Sequence, residues 1–283
     1  MQRLSRFWAD WTTLQFSRQR ESGALSKTIA VLPVAATEQH GPHLPLSVDR
    51  MLVDGVIAAA LPHLPDDLPV LILPNQAVGL SPEHAAFAGN LTLKAETVLR
   101  VWTELADCVA ATGIRKLVVL NSHGGQVGLA DALTCDVRVR HGMLAYRVNW
   151  YDLPLNGPDA VHSTDASALF DAHEWRFGIH AGDLETSVML ALDPNLVQMD
   201  EARNFESASA ERARRFAILG NGKSAKLGWA MQDYNPHGAV GNAAAATAEK
   251  GRAVLQAAGL SLARLLAELH DQELPHHGSP TGA

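Results

Sequence analysis

Apolar residues fall along this chain in short unbroken runs, separated by longer segments that repeat every three to four positions. Residues 28–35, 69–73, 116–120 and 143–148 are the unbroken runs. Runs of that length and character read as strands buried on both faces. Residues 50–61, 94–112, 127–140 and 243–271 carry the helical repeat, and Gly113 is a suitable terminator for the second of them. Strand alternating with helix predicts βαβ units around a mainly parallel sheet, an α/β fold. Residues 1–27 read as a helix and connector, 28–274 as a single domain, and 275–283 as a disordered tail. Between the elements, residues 77–93 form a loop long enough to line a pocket, 152–179 read as a helix or lid, and 235–242 are rich in glycine.

Chemistry concentrates at three places. The first is Glu38-Gln39-His40-Gly41-Pro42-His43-Leu44-Pro45, closed by Asp49 and set directly after the first predicted strand. Glu38 and His40 are two apart, so at a strand end both leave the same face. Pro42 and Pro45 end any ladder, and the resulting loop can return Asp49 to the same point. A carboxylate has two oxygens and can bridge two cations. Read alone, the stretch suits either a metal-binding loop or a polar loop with satisfied histidines. His43, inside it, reads as a support for a ligand.

The second place is Asn121-Ser122-His123-Gly124-Gly125-Gln126, following the apolar run that ends at Leu120. Ligands of open α/β sheets sit outside the carboxyl ends of strands, where His123 falls. Gly124 and Gly125 permit close backbone approach. The third is His180-Ala181-Gly182-Asp183-Leu184-Glu185-Thr186-Ser187, a loop entering an apolar helix. Capping at a helix N-terminus explains Asp183. It does not explain His180, so Glu185 and His180 stand as a metal ligand and a proton-transfer group.

Together these motifs resemble the creatininase (creatinine amidohydrolase) family: E-Q-H-G-P-H-L-P followed by D, then N-S-H-G-G, then H-A-G-x-x-E-T-S. The resemblance spans roughly residues 28–255. It implies a three-layer α/β/α amidohydrolase with two divalent ions, zinc, manganese or both. Glu38 and His123 would hold one ion, His40 and Glu185 the other, and Asp49 would bridge them. His180 would act on the proton traffic of the reaction. The implied chemistry is hydrolysis of a non-peptide C–N bond, first of all in a small cyclic amide, by a metal-activated water. A deformylase or a peptide-trimming maturase on the same scaffold is the alternative, and a metal-binding protein without turnover is a third. Ser81, Gly124, Trp150 and Trp175 match the neighbourhood of the family's substrate pocket. Members are commonly hexamers, so the resemblance implies a homo-oligomer. One departure is plain: in creatininase itself the histidine of the second motif is followed by Tyr and Glu, where this chain has Gly124 and Gly125.

Composition narrows the rest. At 283 residues the chain can bury about 75% of its unfolded surface, enough for one large domain without staples. A net charge of −7 and a pI near 6.0 argue against a nucleic-acid partner, which calls for a basic face. Cys108 and Cys135 lie in helical apolar settings and read as small buried hydrophobes. The segment Phe7 to Trp11 is interrupted by Asp10 and lacks a signal-peptide core. No apolar run approaches the ~18 residues of a membrane span. The expectation is a cytoplasmic protein with no membrane partner.

Overall fold

The computed structural model describes residues 4–156 and 165–273. The tail expected at 275–283 lies outside them. The four predicted strands form one parallel sheet: β1 (Ile29–Val34), β2 (Val70–Ile72), β3 (Lys116–Asn121) and β4 (Leu144–Asn149), in the order β2-β1-β3-β4. β1 pairs β3 in register from Ile29 opposite Lys116 to Val34 opposite Asn121. The chain steps from β1 outward to β2 and then back across to β3. The two central strands therefore flank a topological switch point, where their carboxyl ends leave a crevice.

β1, β2 and the Leu117–Leu120 stretch of β3 are buried on both faces because they are apolar throughout, while the edge strand β4, with Tyr146 and Arg147, is partly exposed. Ile29, Val31, Val118 and Leu120 join one core with α2 (Val48–Ala60), α6 (Asp183–Leu192) and α8 (Ala248–Asp271). Ala30, Leu32, Leu117 and Val119 join the other with α3 (Ala95–Ala111) and α4 (Val127–His141). Odd and even positions of one strand thus serve opposite cores, which is the period-two consequence of the pleat. The result is the three-layer α/β/α sandwich expected from the sequence. A small antiparallel pair, β5 (Asn204–Phe205) with β6 (Gly241–Asn242), stands beside it. The remaining helices are α1 (Thr13–Glu21), α5 (Ala172–Phe177) and α7 (Ala208–Arg215).

Two sequence expectations are corrected. Cys108 and Cys135 are exposed free thiols, not buried hydrophobes. On α3 the inward face is set by Val98, Trp102, Ala106 and Val109, and Cys108 falls on the opposite side of the turn. The last helix, predicted from 243, begins at Ala248. Ala243–Ala245 is a separate 3-10 turn, and the Thr247 hydroxyl caps α8 by accepting the Lys250 N–H.

α8 packs closely on both α6 and α2, and two glycines make that possible. A Cβ on Gly251 would overlap the Ser187 carbonyl, and one on Gly259 would come within 2.6 Å of Ala59. At its far end the Lys116 ammonium donates to the Leu269 and His270 carbonyls at 2.8 and 2.6 Å, closing the helix against β3. Gly251→Ala is therefore expected to destabilise by about 1–3 kcal/mol. Gly128→Ala, on the exposed side of α4 with nothing within 4 Å of the new carbon, is expected to stabilise by about 0.4–1 kcal/mol. Denaturant midpoints of the two variants check both signs.

Candidate metal centre

Glu38 and His40 leave the carboxyl end of β1, and His123 leaves the carboxyl end of β3, its neighbour in the sheet. Asp49 sits in the first turn of α2, and Glu185 in the first turn of α6. All five converge. His123 Nδ1 lies 3.1 Å from Glu38 Oε1 and 3.5 Å from Asp49 Oδ2. His40 Nε2 lies 3.6 Å from Asp49 Oδ1 and 3.9 Å from Glu185 Oε2. The two oxygens of Asp49 thus face different histidines. Donor atoms sharing one tetrahedral ion at about 2.0–2.2 Å stand about 3.3 Å apart, so both spacings suit a cation between them.

Burial makes the case stronger. Glu38 and His40 have no exposed surface, and Asp49 is 2% exposed. Glu38 Oε1 and Oε2, His40 Nε2 and Asp49 Oδ2 are buried with no hydrogen-bond partner among the described residues. Buried polar atoms are ordinarily paired or coordinate metals. The opposite edge of each histidine is already occupied: His40 Nδ1 donates to the Glu38 carbonyl at 3.0 Å, and His123 Nε2 to the Leu80 carbonyl at 3.0 Å. That leaves a lone pair on the inward nitrogen of each neutral ring. These residues fit a pair of divalent ions.

The charges respond to one another. Burial, reinforced by Asp49 and countered by His123, pushes the Glu38 carboxyl up to about 7. Burial opposes a charge on His40, but Asp49, Glu185 and Glu38 outweigh it and raise the ring to about 9. His123 is raised well above its ordinary value against the same burial penalty, chiefly by Glu38. Burial lifts Glu185 above the usual carboxylate range against the pull of His40.

His180 closes the site from a strained loop. Its neighbour Ala181 has φ of 54°, a left-handed conformation uncommon for a residue other than glycine. Ala181 donates its N–H to Glu185 Oε2 at 2.5 Å, and His180 forms a bridge with Val240. The buried Glu174 carboxylate holds both strands of this loop region, accepting the N–H groups of Asp183 at 2.7 Å and Asn242 at 2.8 Å. His180 Nε2 donates to the Gln39 carbonyl at 2.8 Å, so its free lone pair is on Nδ1, which faces Glu38 at 3.9 Å. Burial, and then the charges of His40 and His84, hold His180 well below its ordinary value and keep it neutral.

Sequence reasoning missed four neighbours. His84 lies with its Nε2 3.3 Å from Glu38 Oε1. Its Nδ1 faces the Gln39 amide nitrogen at 2.7 Å, and that amide can only donate. His84 Nε2 therefore carries a proton and points it at the centre. Glu83 Oε1 lies 3.1 Å from His123 Nε2. Tyr151 stands beside Gly124, 3.8 Å from where a Cβ there would be, and burial pushes its phenol up, with Asp152, Asp49 and Glu185 adding to the effect. Trp229 meets His84 edge-on at 6.1 Å. The only signal for the first two was the Ser81-Pro82-Glu83-His84 run inside the long loop.

The proposed pocket residues are scattered. Ser81 is buried and bonded to Asn90 at 3.2 Å. Gly124 opens toward Tyr151. Trp150 is 1% exposed, and its indole donates to Ser122 at 3.0 Å, so it is fixed in the core. Trp175 is 42% exposed and donates to the Ser167 carbonyl at 2.9 Å. His43 bonds Thr186 at 3.0 Å and stacks on Phe205, a supporting place.

The sequence model of the creatininase family (creatinine amidohydrolase) matches residues 13–266. This chain belongs to the creatininase family. Among curated relatives, the mycofactocin precursor peptide peptidase of Mycobacterium ulcerans is 34% identical over 229 residues, covering 79% of this chain and 78% of the relative. Its Mycobacterium tuberculosis counterpart is 32% identical and covers 80% of each. The creatinine amidohydrolase of Pseudomonas putida is 26% identical, covering 62% and 69%. A crystal structure of creatininase shares the fold with a TM-score of 0.73 at 22% identity, covering 95% of this chain and 99% of that one. Membership makes the chain an amidohydrolase of this family.

Uptake of a divalent ion requires an ionised Glu38 and a deprotonated His40. In the metal-free protein the first is protonated below about pH 7 and the second is protonated below about pH 9. Zinc uptake at pH 7 is therefore expected to release protons, and affinity to fall roughly tenfold per pH unit for each proton displaced as pH drops from 8 to 6. Titration calorimetry in buffers of different ionisation enthalpy measures the protons released.

Proposed function

We propose that this chain is a two-metal amidohydrolase that cleaves an amide C–N bond in a peptide. The Asp49 carboxylate carries the reading: its oxygens face His40 and His123, with Glu185 and Glu38 beside them. Glu38, His123 and Asp49 would hold one ion; His40, Glu185 and Asp49 would hold the other. Zinc, manganese or one of each is the proposed complement. When bound, such a pair supplies an activated water at neutral pH and polarises the substrate carbonyl.

The chain's own groups do the remaining work. His180, neutral and with a free Nδ1, accepts a proton from the attacking water and passes it to the departing nitrogen. Such transfer typically contributes 10²–10⁴-fold in rate. His84 directs a fixed N–H toward the Glu38 edge and steadies that carboxylate. Tyr151, held protonated by burial, is a donor at the open side of the site. A protein that only stored metal would have no use for a neutral acceptor at His180.

Two observations favour a peptide over the small cyclic amide that the sequence motifs put first. The relatives named as peptide peptidases match at 32–34% over about four fifths of both lengths. Gly124 is exposed, and a side chain there would meet little but the Tyr151 hydroxyl, so a substrate can extend beyond the reacting bond. The cyclic amide remains the second reading, supported by the 26% identical creatinine amidohydrolase. A homo-oligomer, a hexamer by family resemblance, and a cytoplasmic location complete the proposal. Among the described residues no helix is long and apolar enough to cross a membrane.

Zinc- or manganese-loaded protein should release fragments from short peptides and leave creatinine intact, as followed by mass spectrometry. Creatine formation with intact peptides would replace this reading by the lactam one. Asp49→Ala should lose metal and turnover together. His180→Ala should retain its metal, measured by elemental analysis, while kcat falls 10²–10⁴-fold.

A further inference from the structure

We propose that Glu83 is a positioning residue that fixes how His123 meets its cation; the proposal rests on the two-metal reading. His123 offers Nδ1 to the centre, 3.1 Å from Glu38 Oε1 and 3.5 Å from Asp49 Oδ2. Glu83 Oε1 lies at the other edge of the ring, 3.1 Å from Nε2. Glu38, Glu83 and His123 each offer a ligand atom within 4.8 Å of the others, but the Glu83 oxygen lies beside Nε2, the ring edge turned away from Glu38 and Asp49. The Glu83 side chain is 9% exposed, and its Oε1 has no hydrogen-bond partner among the described residues. The His123 edge is what this buried carboxylate has to act on.

The neighbouring backbone is shaped to admit it. A Cβ on Gly125 would overlap both Glu83 Oε1 and His123 Nε2. Gly125 therefore leaves a socket, and a side chain from another loop fills it. That loop is rigid. Pro82–His84 is a single 3-10 turn. Ser81 anchors its start, donating its N–H to Thr92 Oγ1 at 2.8 Å and accepting the Asn90 amide on its carbonyl at 3.1 Å.

The consequence is a fixed tautomer with added charge. The Leu80 carbonyl, 3.0 Å from Nε2, accepts the N–H but carries no net charge. The carboxylate places a negative charge beside the same proton. It keeps that proton on Nε2 and makes Nδ1 a stronger donor to a cation. Removing such a partner typically costs 10–100-fold in metal affinity.

The test compares full-length wild type, Glu83→Gln and Glu83→Ala, each stripped and titrated with zinc against a competing chelator. The wild type should bind two equivalents. Both variants should weaken one equivalent by about 10–100-fold and leave the other unchanged, with the metal-free melting temperature preserved. In the zinc-loaded wild type, the His123 Nε2 proton should give a slowly exchanging downfield resonance that Glu83→Ala loses. Wild-type affinity in both variants overturns the proposal. Wild-type affinity in Glu83→Gln with loss only in Glu83→Ala also overturns it, because the side chain would then act by packing and not by charge. A wild type that binds no zinc brings down the two-metal reading and this inference with it.

Discussion

Four carboxylates, Glu38, Glu83, Asp49 and Glu185, are buried or nearly so around one point, and the ion-pair partners found for them among the described residues are histidines. That electrostatic constraint governs the molecule. Burial raises the cost of every charge, and the carboxylates answer it only in part by drawing protons onto His40 and His123. Among the buried atoms left without hydrogen bonds, Glu38 Oε1 and Oε2, His40 Nε2 and Asp49 Oδ2 face each other across the gap. The proposed pair of cations would resolve both problems at once.

The fold supplies the point of convergence. Two parallel neighbours, β1 and β3, deliver Glu38, His40 and His123 from their carboxyl ends at the switch point of the sheet. α2 and α6 deliver Asp49 and Glu185 from their first turns, where the helix dipole favours a carboxylate. α8 packs on both of these helices through Gly251 and Gly259. It meets α6 at Ser187, just past Glu185, and α2 at Ala59, at the end opposite Asp49. Glu174 does the comparable task for the His180 loop, tying Asp183 and Asn242 to a single carboxylate.

The H-G-G sequence after His123 reads first as a loss, since two residues of creatininase itself are absent there. In three dimensions the two positions are not empty. Glu83 enters the space beside Gly125, and the Tyr151 hydroxyl stands over Gly124. A carboxylate and a phenol reach the neighbourhood from other parts of the chain. The space beside the two glycines is thus occupied from different elements.

The sequence by itself determined the alternation of strand and helix, the parallel sheet and the five residues that converge. It could do so because burial on both faces writes continuous apolar runs, and because the candidate ligands cluster in short motifs at strand ends and helix starts. Tertiary structure alone decided the placement of Glu83, His84 and Tyr151 beside the centre. Their positions relative to His123 depend on how a loop 40 residues upstream and a turn after β4 fold back, a distance no local spacing encodes. It also decided that Cys108 faces solvent and that Trp150 is locked beneath Ser122. Hydrophobicity sets which residues prefer burial, but the rotation of each helix against its neighbours sets which of them obtain it.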